Sequence, residues 1–201
     1  MQLYLNATSP FARVARIVAM EKGLAEAVTL CWCDPWSDDA SLLAANPVGR
    51  VPTLVTDEGT ALSEALLIAQ YLDATGEGES LLPPTRLGRV LSLAGLGQGL
   101  MEAAFNTVIA RKHNGPEVDA SNLGQRRLWA IPRILQRLED TMNEAPPKPP
   151  RLTLGDIVVG VALEYLSFRL PEFDWAADHA ALAGWHTVLI GRDSFRATAF
   201  G

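Results

Sequence analysis

Two rhythms of apolar and polar residues run along this chain. Up to residue 76, short apolar runs bounded by turn signals alternate with stretches of helical spacing. Leu3, Tyr4 and Leu5 form the first such run, which stops at the polar Asn6-Ala7-Thr8-Ser9-Pro10. Phe11, Val14, Ala15, Val18 and Ala19 then recur every three or four residues and predict a helix. Ser9 stands at the N-cap position, Pro10 at the first helical position and Gly23 where the helix should end. Residues 28–33 predict a second strand, Asp34-Pro35-Trp36-Ser37 a turn, and residues 40–45 a short helix. Two prolines bracket the loop from Asn46 to Pro52, and residues 53–56 and 60–62 predict strands joined by a hairpin turn at Asp57-Glu58-Gly59. A helix over 64–74 puts Ala65, Ile68, Ala69 and Leu72 on one face. The order is β-α-β-α-β-β-α.

Beyond this point the period-two pattern is gone. Residues 77–86, with Gly78 and Pro83-Pro84, predict a linker. Residues 87–201 predict an all-α domain, with helices over 87–112, 121–143, 154–170 and 180–192 and a proline-rich break at 145–150. Thr153-x-x-Asp156 before Ile157 is a capping box for the third of these helices. Trp129, Trp175 and Trp185 are expected to be packing residues. The long helix holds Gly95, Gly97 and Gly99. Each weakens an isolated helix by about 0.8–1 kcal/mol relative to alanine. A kink accounts for them, and so does close approach of another helix, from this chain or from a second subunit.

Composition narrows the chemistry. The chain has 201 residues, 48% hydrophobic and 20% charged, enough to bury a sizeable core. A net charge of -6 excludes general affinity for nucleic acid, so Arg111-Lys112 and Arg126-Arg127 read as solvated helix faces. Cys31 and Cys33 are the only cysteines. Two apart on a strand, they give no disulfide framework and read as ordinary reduced thiols. His113, His179 and His186 have no zinc-like spacing, so no metal is expected. The opening residues lack a signal-peptide pattern, and no apolar run reaches the ~20 residues of a membrane span, so a cytoplasmic location is expected.

Four segments resemble the glutathione transferase family, in order and in register. They are Thr8-Ser9-Pro10-Phe11-Ala12-Arg13, Asn46-Pro47-Val48-Gly49-Arg50-Val51-Pro52-Thr53-Leu54, the stretch opening Leu62-Ser63-Glu64-Ala65 and closing Tyr71-Leu72, and Thr153-Leu154-Gly155-Asp156-Ile157. Asp34-Pro35-Trp36 and Arg192-Asp193-Ser194-Phe195 are similar to a bacterial branch of it. The resemblance implies an α/β thioredoxin-like N-terminal domain (1–76) that cradles glutathione, followed by an all-α C-terminal domain. It implies an enzyme that activates the thiol of glutathione for attack on an electrophile or a peroxide. Glutathione would be the co-substrate, with no other cofactor. The partners implied are a small hydrophobic electrophile and a second copy of the chain as a homodimer. The alternatives are a non-enzymatic binding or interaction protein on the same scaffold, and a glutathione-dependent isomerase or dehalogenase.

The resemblance also assigns residues. Ser9 would donate its hydroxyl hydrogen to the glutathione sulfur, with Thr8 the rival hydroxyl. A serine forms no mixed disulfide, so little thioltransferase activity is expected. Pro52 is similar to the family's cis-proline, which turns the backbone of Val51 towards the cysteinyl part of glutathione. The γ-glutamyl end would meet Glu64 and Ala65, where alanine replaces the family's serine. Arg50 takes the family's lysine position and would reach a carboxylate. Phe11 belongs to the same glutathione-binding stretch. Phe11, Arg13, Met101, Phe105 and Ile109 would border the electrophile.

Overall fold

The computed structural model describes residues 1–144 and 151–201, so the proline-rich break expected at 145–150 lies outside the described residues. Two compact units divide the chain: Met1–Arg86 together with Asp193–Gly201, and Leu87–Arg192. The last nine residues therefore belong with the first unit, where the sequence pattern had assigned them to the helical half.

In the first unit, β1 (Gln2–Leu5) leads into α1 (Pro10–Glu21), β2 (Thr29–Trp32), α2 (Ala40–Ala45), β3 (Thr53–Val55), β4 (Ala61–Ser63) and α3 (Ala65–Thr75). The sheet order is β2-β1-β3-β4. β1 and β2 are parallel, as a crossover through α1 requires, and the other two pairings are antiparallel. Leu3 and Leu5 alternate into the core at 0% exposure. Val14, Ile17 and Val18 of α1 and Ile68 and Leu72 of α3 are buried with them. Complete burial of each large aliphatic side chain is worth about 1.5–3 kcal/mol. Helix α1 ends as Gly23 predicts. Gly23 takes φ +69°, its N–H reaches Met20 O at 3.2 Å, and Leu24 N–H reaches Ala19 O at 2.8 Å. That pair of bonds is a Schellman motif.

The second unit contains α4 (Leu87–Asn114), α5 (Asn122–Glu144), α6 (Leu154–Arg169), α7 (Trp175–Asp178) and α8 (Ala180–Ile190); α9 (Asp193–Arg196) lies in the first unit. Helix α6 is almost entirely buried. The glycines have separate explanations. A Cβ on Gly97 would stand 2.8 Å from the backbone of Val158 and Val159, so this glycine lets α4 and α6 touch. Gly155 does the same from α6, against Val90 and Leu93. Gly95 faces open space.

The capping box forms. Asp156 N–H donates to Thr153 Oγ1 at 3.3 Å, and Thr153 N–H donates to Asp156 Oδ2 at 2.8 Å. Thr153→Ala is expected to lower stability by about 1–2 kcal/mol in denaturant titration. Trp175 and Trp185 pack at 6% and 7% exposure, but Trp129 is 61% exposed, which corrects the expectation for it. The buried stripe of α5 runs through Ile131, Leu135, Leu138 and Met142, and position 129 falls off it.

Candidate functional site

Three chain segments meet at one end of the sheet of the first unit. Register fixes this. Tyr4 of β1 pairs with Thr53 of β3, and Thr53 pairs with Ser63 of β4. β1 leaves this row towards Ser9, β3 enters it from Val51, and β4 leaves it into Glu64 and Ala65. Strands lie ~4.8 Å apart, so the row spans ~10 Å, close to the length of an extended tripeptide.

Ser9 is the N-cap of α1. Its Oγ accepts from Ala12 N–H at 3.2 Å, and its own N–H donates to Asn6 Oδ1 at 2.9 Å. Ser9 is 9% exposed, and among the described residues its hydroxyl accepts one bond and donates none. One donor is therefore unspent at the positive end of a twelve-residue helix. Thr8 precedes the cap and is half-buried.

The loop before β3 is held by Asn46, which is 5% exposed. Its Nδ2 donates to Arg50 O at 3.1 Å and to Thr53 Oγ1 at 3.0 Å, and its Oδ1 accepts from Val48 N–H at 3.1 Å. Thr53 Oγ1 also donates to Arg50 O at 2.8 Å. The Val51–Pro52 peptide bond is cis, and Val51 stands just ahead of the first β3 pair. Arg50 is exposed, and its guanidinium makes no bond among the described residues.

Glu64 opens α3 at φ +71°, a conformation that costs a non-glycine residue about 1–3 kcal/mol. Its side chain makes no capping bond, so the leading amides of α3 stay open and its exposed carboxylate points to no protein partner among the described residues. Ala65 follows at 4% exposure.

Of the other expected site residues, Phe11 and Arg13 stand on α1, and Met101, Phe105 and Ile109 on α4. Phe11 is half-buried on the first turn of α1. Arg13 is 3% exposed and committed to the last residues of the chain. It donates to Phe195 O at 3.1 Å and Thr198 Oγ1 at 3.2 Å, and its guanidinium lies 4.5 Å from the Phe200 ring centroid. Arg13 is thus a structural pin that ties α1 to the last residues of the first unit. Met101, at 0% exposure, is core. Phe105 is half-buried, and Ile109 lines a groove between α4 and α5. Asn6, Asn46 and Thr53, which set the loops, are the site residues that sequence reasoning missed. The signal for Asn46 was present in its place at the head of the Asn-Pro-x-Gly segment.

Cys31 and Cys33 are free. Burial and the nearby Asp39 carboxylate push the Cys33 thiol up, which makes it a poor nucleophile. Among the described residues no group of three or more His, Cys, Asp or Glu side chains is placed to hold a metal, and no helix is long and apolar enough to cross a membrane.

A thioredoxin-like sheet with this cradle, followed by a helical unit, is the architecture of one protein class, and comparison bears that out. The family model for the glutathione S-transferase N-terminal domain matches residues 8–75, and that for the C-terminal domain matches residues 130–187. The chain is 30% identical to the uncharacterized GST-like protein YibF of Escherichia coli K12, over 98% of each chain. A glutathione transferase family member from Pseudomonas fluorescens Pf-5, solved with bound glutathione, superposes with a TM-score of 0.88 at 30% identity, covering 100% of this chain and 98% of that one. A glutathione S-transferase from Methylobacillus flagellatus KT, solved with glutathione bound, gives a TM-score of 0.89 at 28% identity over 98% of both chains. The chain belongs to the glutathione S-transferase family.

Proposed function

We propose that the chain binds glutathione along the row Tyr4–Thr53–Ser63, holds its sulfur as thiolate at Ser9, and delivers it to a small hydrophobic electrophile or a peroxide. The observation that carries this reading is the unspent hydroxyl donor of Ser9 at the start of α1. A free thiol, with pKa ~8.5, is only a few per cent ionised at neutral pH. Lowering that pKa by ~2 units needs about 2.7 kcal/mol of preference for the anion. A hydroxyl bond to a charged sulfur together with helix amides supplies this.

The other ends of the tripeptide have partners of the right kind. The backbone N–H and C=O of Val51 pair with the cysteinyl residue as an added strand would. The γ-glutamyl carboxylate lies on the open amides of α3, its ammonium group meets the Glu64 carboxylate, and Arg50 reaches the far carboxylate.

Ala65 leaves one side-chain bond to a charged group unmade, a deficit of about 1.5–3 kcal/mol. Ala65→Ser is expected to tighten glutathione binding ~10–150-fold by calorimetry. An unchanged Kd would show that another group already fills the place. The same residue favours a second reading, a binding protein on this scaffold without transferase activity. Retention on immobilised glutathione together with conjugation of a generic aryl halide supports the transferase. Retention alone supports the binding protein, and failure of both contradicts the glutathione reading.

The chain is further proposed to pair with a second copy. Leu87 and Leu91, 39% and 49% exposed, share one face of α4 with Gly88 and Gly95, which face open space. Sedimentation at twice the mass of one chain is expected, and the mass of one chain would contradict it.

A further inference from the structure

Strand β2 is an edge of the sheet, with β1 on one side and, among the described residues, no strand on the other. Thr29 N–H donates to Met1 O at 3.0 Å and Cys33 N–H to Leu5 O at 3.0 Å, so the odd-numbered positions spend their backbone on β1. Alternation along the strand then turns the N–H and C=O of Leu30 and Trp32 to the open edge.

Native sheets blunt such edges with lysine, proline, a bulge or a covering loop. β2 is short, at four residues, but it reads Thr-Leu-Cys-Trp and holds neither lysine nor proline. Leu30 and Trp32 pair in register with Leu3 and Leu5 and share their face of the sheet. Leu3 and Leu5 are fully buried, whereas Leu30 and Trp32 stay 38% and 55% exposed. Arg16 of α1 lies over the Trp32 ring, 5.2 Å from its centroid, and steadies that side chain.

Charge selects what covers this edge. Residues 23–49 hold Glu26, Asp34, Asp38 and Asp39 and no Lys, Arg or His. Glu26, Asp34 and Asp38 are exposed. A second copy paired β2 to β2 would set these acids against their own duplicates, and like charges across a strand pair are destabilising. A basic segment meets attraction instead.

We propose that β2 takes up an extended segment of a partner protein, with alternating apolar residues and Lys or Arg at both ends. The segment's backbone pairs with the N–H and C=O of Leu30 and Trp32, and its apolar side chains lie beside theirs. Its cations face Glu26 at one end and Asp34 and Asp38 at the other. None of these residues belongs to the proposed glutathione cradle.

The probe is the peptide acetyl-Lys-Val-Thr-Val-Thr-Val-Lys-amide, titrated into the full chain with the backbone amides followed by NMR. Saturable binding is expected, with hydrogen exchange slowed at Leu30 and Trp32. The same peptide with glutamate for both lysines should bind about tenfold more weakly, because two cross-strand charge pairs change sign. Methylating the peptide's backbone nitrogens should abolish binding. Leu30→Pro removes an outward N–H at an edge position, where proline is tolerated, and should weaken the lysine peptide. The methylated peptide asks the same question of the wild-type chain, whether or not that variant folds. No saturable binding, equal binding of the glutamate or methylated peptide, full affinity in Leu30→Pro, or slowed exchange confined to the other edge strand, β4, would each overturn the proposal. So would protection of Leu30 and Trp32 that grows with the concentration of the chain alone, which would make a second copy the occupant.

Discussion

Ser9→Ala is expected to lower kcat/KM for conjugation ~10–150-fold at neutral pH, through loss of one hydrogen bond to a charged sulfur. The apparent pKa of the bound thiol should rise by about one to two units, because the same 1.5–3 kcal/mol separates thiolate from thiol. The variant also loses the cap on Ala12 N–H, about 1 kcal/mol of stability. A pH–rate profile distinguishes the two losses. Once the pH exceeds the thiol's own pKa, glutathione ionises unaided and most of the rate should return. A deficit that persists at high pH would instead mean that the helix start is merely damaged. Ser9→Thr, which keeps a hydroxyl, should retain much of the activity.

The second large effect is on stability. Lys22 closes α1 and is 2% exposed, and its Nζ lies 3.1 Å from Asp73 Oδ1 of α3 and donates to Glu79 O at 3.0 Å. Asp73 also accepts from Ser80 Oγ at 2.6 Å and Leu81 N–H at 2.8 Å. This cluster ties together the two helices whose N-termini flank the cradle. Lys22→Met leaves a buried carboxylate without its cation and is expected to cost about 3–5 kcal/mol in chemical denaturation. Pairing it with Asp73→Leu should recover most of that, since the desolvation penalty goes with the charges.

The same cluster carries a pH dependence. Burial pushes the Asp73 carboxyl up, but bonds from Ser80, Leu81 and Lys22 outweigh it and hold the group below its ordinary range. A carboxyl depressed in the folded state contributes stability above its unfolded pKa of ~3.9, and that contribution is lost as pH falls through the folded value. Stability should therefore drop below about pH 4, and Asp73→Asn should remove this share of the drop. An identical acid limb in Asp73→Asn would place the titrating group elsewhere.

Features set within four or five residues of chain were legible in the sequence. The Ser9-Pro10 helix start, the Gly23 stop and the Thr153–Asp156 capping box each rest on such short-range bonds, and each stands where the pattern put it. Partners far along the chain were not legible. The sequence offers Arg13, on the first turn of α1, only as a residue bordering the electrophile, and gives no sign that its acceptors lie 182 and 185 residues away. Helix α8 is capped by Glu139, whose carboxylate accepts from Ala181 and Leu182 N–H at 3.1 and 2.8 Å, and no local pattern announces that. Helices α7 and α9, of four residues each, are too short to show a period. Gly97 signalled a close approach, but only packing reveals that its partner is α6 of the same chain. Within the cradle, the residue types at positions 9, 51 and 64–65 were readable. Their convergence on one end of the sheet depends on register, which short strands do not specify by themselves.

The most direct measurement is a crystal structure of the full chain grown with glutathione. The tripeptide should lie stretched along the sheet end, its sulfur within hydrogen-bond reach of Ser9 Oγ and its cysteinyl backbone paired with Val51. A sulfur turned towards any other group, or a cradle left vacant at saturating glutathione, would contradict it.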